Sequence, residues 1–296
     1  MNWFEGRKFT AMMTALFLLG LGLLLYPSFS DYWNSFHQSQ AILDYVETVS
    51  NLDATLYKEA LEDAEVYNQQ LIENGIDWNM SPAKREVYHQ VLNLEKNGIM
   101  GYISIPKIDV KLSIFHGTNE DVLQTSIGHL EQTSLPIGGI GSHSVLSGHR
   151  GLPSAKLFSD LDKLKEGDTF TIHVFDQTIT YEVDQIRVVE PTNLSDIQLV
   201  EGMDYCTLVT CTPYGVNSHR LLVRGHRIEN ADGTAALVAD AMQLPPLFIA
   251  PFLSLPLLAI LLLYVLVVTS DRYNRKKRIY LELKQFRLQD WGLSEK

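Results

Sequence analysis

Two long stretches of this chain carry no charged residue. The first runs from Phe9 to Ser30 and contains FTAMMTALFLLGLGLLLY; the second runs from Ala241 to Ser270 and contains PPLFIAPFLSLPLLAILLLYVLVVTS. Either is long enough for a helix that crosses a hydrocarbon core of about 30 Å. The pattern predicts transmembrane helices at 9–30 and 244–270. A cleaved secretory signal is the alternative for the first stretch. Its apolar run is longer than such signals use, and LLLYPSFSDYW offers no small-x-small cleavage site, so the expectation is an uncleaved anchor.

Between the spans the pattern changes twice. Residues 31–75 read as a helical segment: in DATLYKEALEDAEVYNQQLIENG the apolar residues Tyr57, Ala60, Leu61, Ala64, Tyr67 and Leu71 recur at helical spacing. Asp53 is placed to cap the start and Gly75 to mark the end. Residues 76–99, including IDWNMSPAKREVYHQ, read as a connector. From about residue 100 short β-type runs follow one another: GYISIPKID, KLSIFHG, SVLSGH, DTFTIHV, TITYEVDQIRVVE, YCTLVTC and HRLLVRGHRI. They alternate or are β-branched, and Gly, Pro, Asn and Asp bound them. One helical interlude is expected at SAKLFSDLDKL, 154–164. Strands at such short intervals predict a barrel or sandwich over 100–228. Residues 229–243 read as a linker, 1–8 as a short N-terminal segment and 271–296 as a basic tail.

Charge orients the chain. Arg7 and Lys8 precede the first span, and DRYNRKKRIYLELKQFR, with seven basic residues, follows the second. Lys and Arg mark the cytoplasmic side, so both termini are expected inside and residues 31–240 outside. Of 24 Lys+Arg, 2 and 8 lie in the two terminal segments, and of 35 Asp+Glu, 1 and 4 do, leaving 14 − 30 = −16 for the exposed part. So acidic a domain repels nucleic acid.

The only cysteines are Cys206 and Cys211. On one extended strand, residues five apart face opposite ways and lie roughly 16 Å apart, beyond the disulfide reach of about 7 Å. Cys206 reads as a small core residue. Cys211 ends the run TLVTC, and HRLLVRG begins eight residues later, after the turn-forming Pro213, Gly215 and Asn217. A hairpin here sets Cys211 opposite Arg220 at its open mouth. A cation beside a thiol favours the reactive thiolate. Arg is no base, but it can donate to an oxyanion. Proton exchange near neutral pH then requires a histidine. Of nine, His219 and His226 adjoin the hairpin and His149 sits in a glycine-flanked turn; the residue pattern alone does not choose among them.

The segments LSGHRGLPSAKLFSDLDKLKEGD and TLVTCTPYGVNSHRLLVRGHR resemble the sortases, and within them the pilus-assembling class C branch. The resemblance runs from about residue 101 to 228 and extends to the two-span layout. It implies an eight-stranded closed sortase β-barrel, mainly β with short helices, after an N-terminal helical extension. It also implies catalytic roles for His149, Cys211 and Arg220 with no metal or cofactor. By the same resemblance the enzyme cleaves an LPXTG-like sorting signal between Thr and Gly and holds the acyl group as a Cys211 thioester. It then transfers that group to a lysine amine of another pilin subunit. Class C members commonly cover the site with a lid of Asp-Pro followed by an aromatic residue. Here Asp77 adjoins Trp78 with no proline between, so these two residues are the candidate lid in an altered register. A papain-like hydrolase would place Cys before His, and His149 comes first. The non-enzymatic rival is a two-span scaffold or sensor with Cys211 sealed in its core.

Overall fold

In the computed structural model, which describes residues 3–94, 96–230, 262, 264 and 271–290, the chain opens with one uninterrupted helix, α1 (Trp3–Ser50). The predicted anchor and the first part of the predicted helical segment are therefore one continuous helix with Pro27 inside it, about 72 Å along its axis at 1.5 Å per residue. From Met12 onward α1 is long and apolar enough to cross a membrane, the one such helix among the described residues. The second predicted span, 244–270, lies outside the described residues apart from 262 and 264, as do most of the linker and the end of the tail. Residues Asp271–Asp290 form a helix of their own.

Asn51–Asp53 interrupt the helical segment, and α2 (Ala54–Asn74) follows. Its caps are as the sequence predicts: Thr55 N–H donates to Asp53 Oδ1 at 2.8 Å, and Gly75, at φ 77°, closes the other end. The connector expected at 76–99 is corrected in part. It contains a third helix, α3 (Pro82–Gln90), with Ser81 accepting from Lys84 N–H and Pro82 in the first turn. Nine residues with one fully buried side chain, Tyr88, leave little apolar periodicity to detect.

Eight strands close into a barrel: β1 (Ile99–Ile105), β2 (Val110–His116), β3 (Ile127–His129), β4 (His143–Ser147), β5 (Thr169–Val174), β6 (Gln177–Val189), β7 (Tyr205–Thr212) and β8 (His219–Ile228). Their order around the barrel is β1-β2-β3-β4-β7-β8-β6-β5, and β5 pairs with β1 to complete the ring. Two pairings are parallel, β2 with β3 and β4 with β7. Alternate side chains fill the interior, as on β5, where Phe170, Ile172 and Val174 are buried. The three-residue β3 was not predicted; it is too short to show alternation.

The helical interlude expected at 154–164 is also corrected. Its spacing arises because Leu157, Phe158, Leu161 and Leu164 all enter the barrel's core cluster. The backbone reaches them through turns, with Leu157 at φ 39°, and only Leu161–Lys163 completes a helical turn.

Candidate active site

β7 and β8 form the predicted hairpin, with Cys211 paired to Arg220 and Thr212 to His219. Cys206 and Leu208 point into the barrel and are fully buried, whereas Cys211, on the outer face, is half-buried. Both thiols are free. Burial pushes the Cys206 thiol well above its ordinary value and leaves it inert.

His149 arrives from a distant part of the chain. β4 runs parallel to β7 with Ser147 beside Val209. Two residues further along each strand stand His149 and Cys211, so the parallel register carries the imidazole to the thiol's end of the sheet. The turn is tied there. Gly148 N–H donates to Val209 O at 3.0 Å, and the buried Thr210 hydroxyl donates to Gly148 O at 2.7 Å. Gly148 is required for this approach: a Cβ would come within 2.8 Å of Phe158 Cδ2 and 2.9 Å of Ile127 Cγ2.

The imidazole is mostly enclosed, and its Nε2 is buried without a hydrogen-bond partner among the described residues. It faces the exposed carboxylate of Glu120, 3.6 Å away at the start of the short helix α4 (Glu120–Leu123). Arg220 donates to two carbonyls of its own hairpin, Asn217 O at 3.3 Å and His219 O at 3.1 Å. Among the described residues it pairs with no carboxylate, so its guanidinium retains donors for a further group. Two residues that sequence reasoning missed frame the site. Glu120 is one. Arg150 is the other: it joins the histidine turn to the hairpin through Thr212 Oγ1 at 3.3 Å and Tyr214, and it pairs with Asp162. Its place directly after His149 in the GHR motif was the available signal.

The competing histidines are disposed otherwise. Burial holds His129 down to about 3 and His143 and His173 to about 4, and it lowers His116, so these rings are neutral at physiological pH. His219 sits opposite Thr212, and side-chain alternation turns it away from the Cys211–Arg220 face. His226 lies at the far end of the hairpin, beside Tyr205.

Next to the site a cavity of about 190 Å³ opens along the outer face of β4, β7 and β8. Val145, Val209 and Leu222 form its floor, Leu194 and Ile197 of the β6–β7 loop line it, and Arg220 stands at its edge. Trp78 packs on the same apolar cluster. Asp77 does not reach Arg220. Its carboxylate takes Lys84 Nζ at 2.7 Å and Asn79 N–H at 3.1 Å, which together hold it below the usual carboxylate range. The two candidate lid residues thus part company: the aromatic ring packs on the Val145, Ile197 and Leu222 cluster and the acid faces α3.

Comparison with known proteins agrees with this geometry. The Sortase domain matches residues 103–228. Sortase A of Bacillus anthracis is 25% identical over 219 residues, covering 74% of this chain and 94% of the relative. The crystal structure of sortase C1 from Streptococcus agalactiae is 58% identical, covering 65% of this chain and all of that one, with a TM-score of 0.64. Sortase C from Clostridium perfringens, solved with the C-terminal cell wall sorting motif, is 40% identical over 65% of this chain and all of its own, at a TM-score of 0.58. The chain belongs to the sortase family and is a cysteine transpeptidase. Within that family its solved neighbours are class C sortases, and it is of that class.

Proposed function

We propose that this sortase joins pilin subunits, with Cys211 as nucleophile, His149 as proton carrier and Arg220 as oxyanion or peptide donor. The thiolate of Cys211 attacks the threonine carbonyl carbon of an LPXTG-like signal. Arg220, which has donors to spare, steadies the negative oxygen as it develops. The C–N bond to glycine breaks, the leaving amine takes a proton from His149, and a thioester remains on Cys211. A lysine amine of a second pilin then attacks the thioester carbon and gives up its proton to His149; the thiolate departs and an isopeptide bond is formed. No step requires a metal or cofactor.

One observation carries this reading. The Cys211–Arg220 pair and the His149 turn meet at one end of the β4–β7–β8 face, where an apolar cavity can receive the Leu-Pro side of the signal. Trp78, packed on the cavity's cluster, acts as the plug of a lid. A scaffold would need Cys211 sealed in the core, and the thiol is half-buried on the outer face. The acidic domain stands outside the cell between two spans, 9–30 and 244–270, with both termini in the cytoplasm, as the basic flanks direct.

The test is incubation of residues 31–240 with an LPXTG-type peptide, followed by mass spectrometry. The expected result is an acyl adduct on Cys211 that a lysine-bearing acceptor discharges. It is expected to be absent from Cys211→Ala. A folded protein that forms no adduct even after Trp78→Ala refutes the proposal.

A further inference from the structure

The helix that begins in the apolar segment is also the one that grips the barrel, and every gripping residue lies beyond its Pro27. Asp31, Asn34, Gln38, Ile42 and Tyr45 recur at spacings of three and four and form one face of α1. Asp31 Oδ1 accepts from Lys156 N–H at 2.7 Å, and the Asn34 amide donates to Ser154 O at 2.7 Å. Gln38 bridges two barrel segments, donating to Thr125 O at 2.9 Å and accepting from Ser113 N–H at 3.0 Å. Ile42 is buried, and the Tyr45 hydroxyl donates to Met100 O and accepts from Phe175 N–H.

The opposite face of the same helix is aromatic. Phe29, Trp33 and Phe36, again at spacings of four and three, lie about half a turn from the gripping residues and are more than half or half exposed, at 65%, 55% and 50%. Large aromatic side chains collect at the boundary between hydrocarbon and headgroups. Here they flank Asp31, the first charge after the apolar run. The helix therefore leaves the hydrocarbon and engages the barrel within the same turns. Asn34 is four residues beyond Ser30, about 6 Å of rise. The headgroup layer on each side is about 5–7 Å thick.

We propose that the barrel rests on the outer leaflet at a fixed height, with the loop from His149 to Phe158 lying in the lipid headgroup layer. That loop is closed by Phe158 N–H donating to His149 O at 3.1 Å, so the segment that touches lipid also carries the site's histidine. The partner is the phospholipid headgroup surface itself. This placement rests on the membrane-anchor reading above and adds to it a defined face and depth. The reaction then takes place at the bilayer surface, within reach of peptides tethered to the same membrane.

The structure supplies a ruler for the test. Ser154 lies beside Asn34, Thr125 beside Gln38, and the turn before Gln177 beside Tyr45. Tyr45 is 45 − 31 = 14 residues beyond Asp31, about 21 Å higher. The full chain with Cys211→Ala is given one new cysteine, S154C, T125C or Q177C, and labelled with a fluorophore; Cys206 is buried and stays unlabelled. It is then placed in phosphatidylcholine–phosphatidylglycerol vesicles containing lipids with a headgroup nitroxide. Quenching is expected to fall in the order 154, 125, 177, with at least a threefold difference between the ends. The double substitution Asn34→Ala and Gln38→Ala is expected to level the three while the barrel's circular dichroism is unchanged. Equal or reversed quenching in protein that floats with the vesicles overturns the placement and leaves the anchor standing. Failure to float overturns the anchor and the placement together.

Discussion

The separation of Asp77 from Trp78 yields a quantitative prediction about the lid. A tryptophan side chain buries about 200 Å² when fully enclosed, and Trp78 is half-buried against the Val145, Ile197 and Leu222 cluster. Lifting it exposes about 100 Å², which at about 25 cal/mol per Å² costs about 2.5 kcal/mol. If a peptide must displace the ring to occupy the groove, Trp78→Ala removes that cost, and the ceiling on the gain is about 70-fold. Asp77 contributes through an exposed contact with Lys84, whose side chains are 43% and 63% accessible, and such pairs hold little. The assay is single-turnover acylation by an LPXTG-type peptide, read as kcat/KM, beside the rate at which a small thiol reagent labels Cys211. Trp78→Ala is expected to raise peptide acylation by roughly 10- to 70-fold and to change small-reagent labelling much less, because the thiol is already half-exposed. Asp77→Ala is expected to change acylation by less than about threefold. The reasoning is refuted if Asp77→Ala matches Trp78→Ala, or if neither alters acylation.

Arg220→Lys keeps a cation but loses the planar fork; acylation is expected to drop by at least tenfold with the fold intact, and a normal rate would reduce Arg220 to a mere charge. Gly148→Ala forces a Cβ against the buried Phe158 and Ile127. It is expected to cost about 1–3 kcal/mol in urea unfolding and to slow acylation by displacing His149; a variant as stable and active as the parent would remove the close-approach argument. Stability is also expected to depend on pH. His129 and His143 are depressed to about 3 and about 4 in the folded domain, so below about 6.5 the unfolded chain binds protons first and the fold loses ground. Between pH 7 and 5 that amounts to about 2 kcal/mol per histidine. Asp53, Asp77 and Asp160 lie below the ordinary carboxylate value and lose their contribution only at lower pH. A urea midpoint that does not move between pH 7 and 5 would contradict the burial of these rings.

How far the chain could be read depended on whether a feature was local. Asp53 and Gly75 bound α2 because caps act within one turn of backbone. The Cys211–Arg220 pairing was legible because a hairpin fixes its own register over a short loop, here the six residues 213–218. The free state of both cysteines followed from strand alternation alone. Where local signals were misleading, packing had overridden them. Leu157, Phe158, Leu161 and Leu164 mimic a helix because all four are drawn to one core, yet Leu157 adopts a left-handed backbone that no helix allows. α3 lacked an apolar stripe because its attachment is mainly one residue, Tyr88, whose hydroxyl accepts from Gly117 N–H and reaches His129.

By itself, then, the amino-acid order determined seven of the eight strands, the long apolar helix, the Cys211–Arg220 hairpin and the family resemblance, since each resides in neighbouring residues or a short motif. The tertiary structure decided what depends on distant segments meeting. Parallel pairing of β4 with β7 brings the His149 turn to the Cys211 end of the sheet across 62 positions of chain, and Glu120 arrives from a third segment. Trp78 and Asp77, adjacent in sequence, are sent to different partners by the surfaces they meet. The second half of α1 is tied to the barrel because Asn34, Gln38 and Tyr45 satisfy backbone groups far away in the chain. Such pairings are selected by burial and hydrogen-bond satisfaction over the whole fold, and a local pattern of residues does not specify which distant partner completes them.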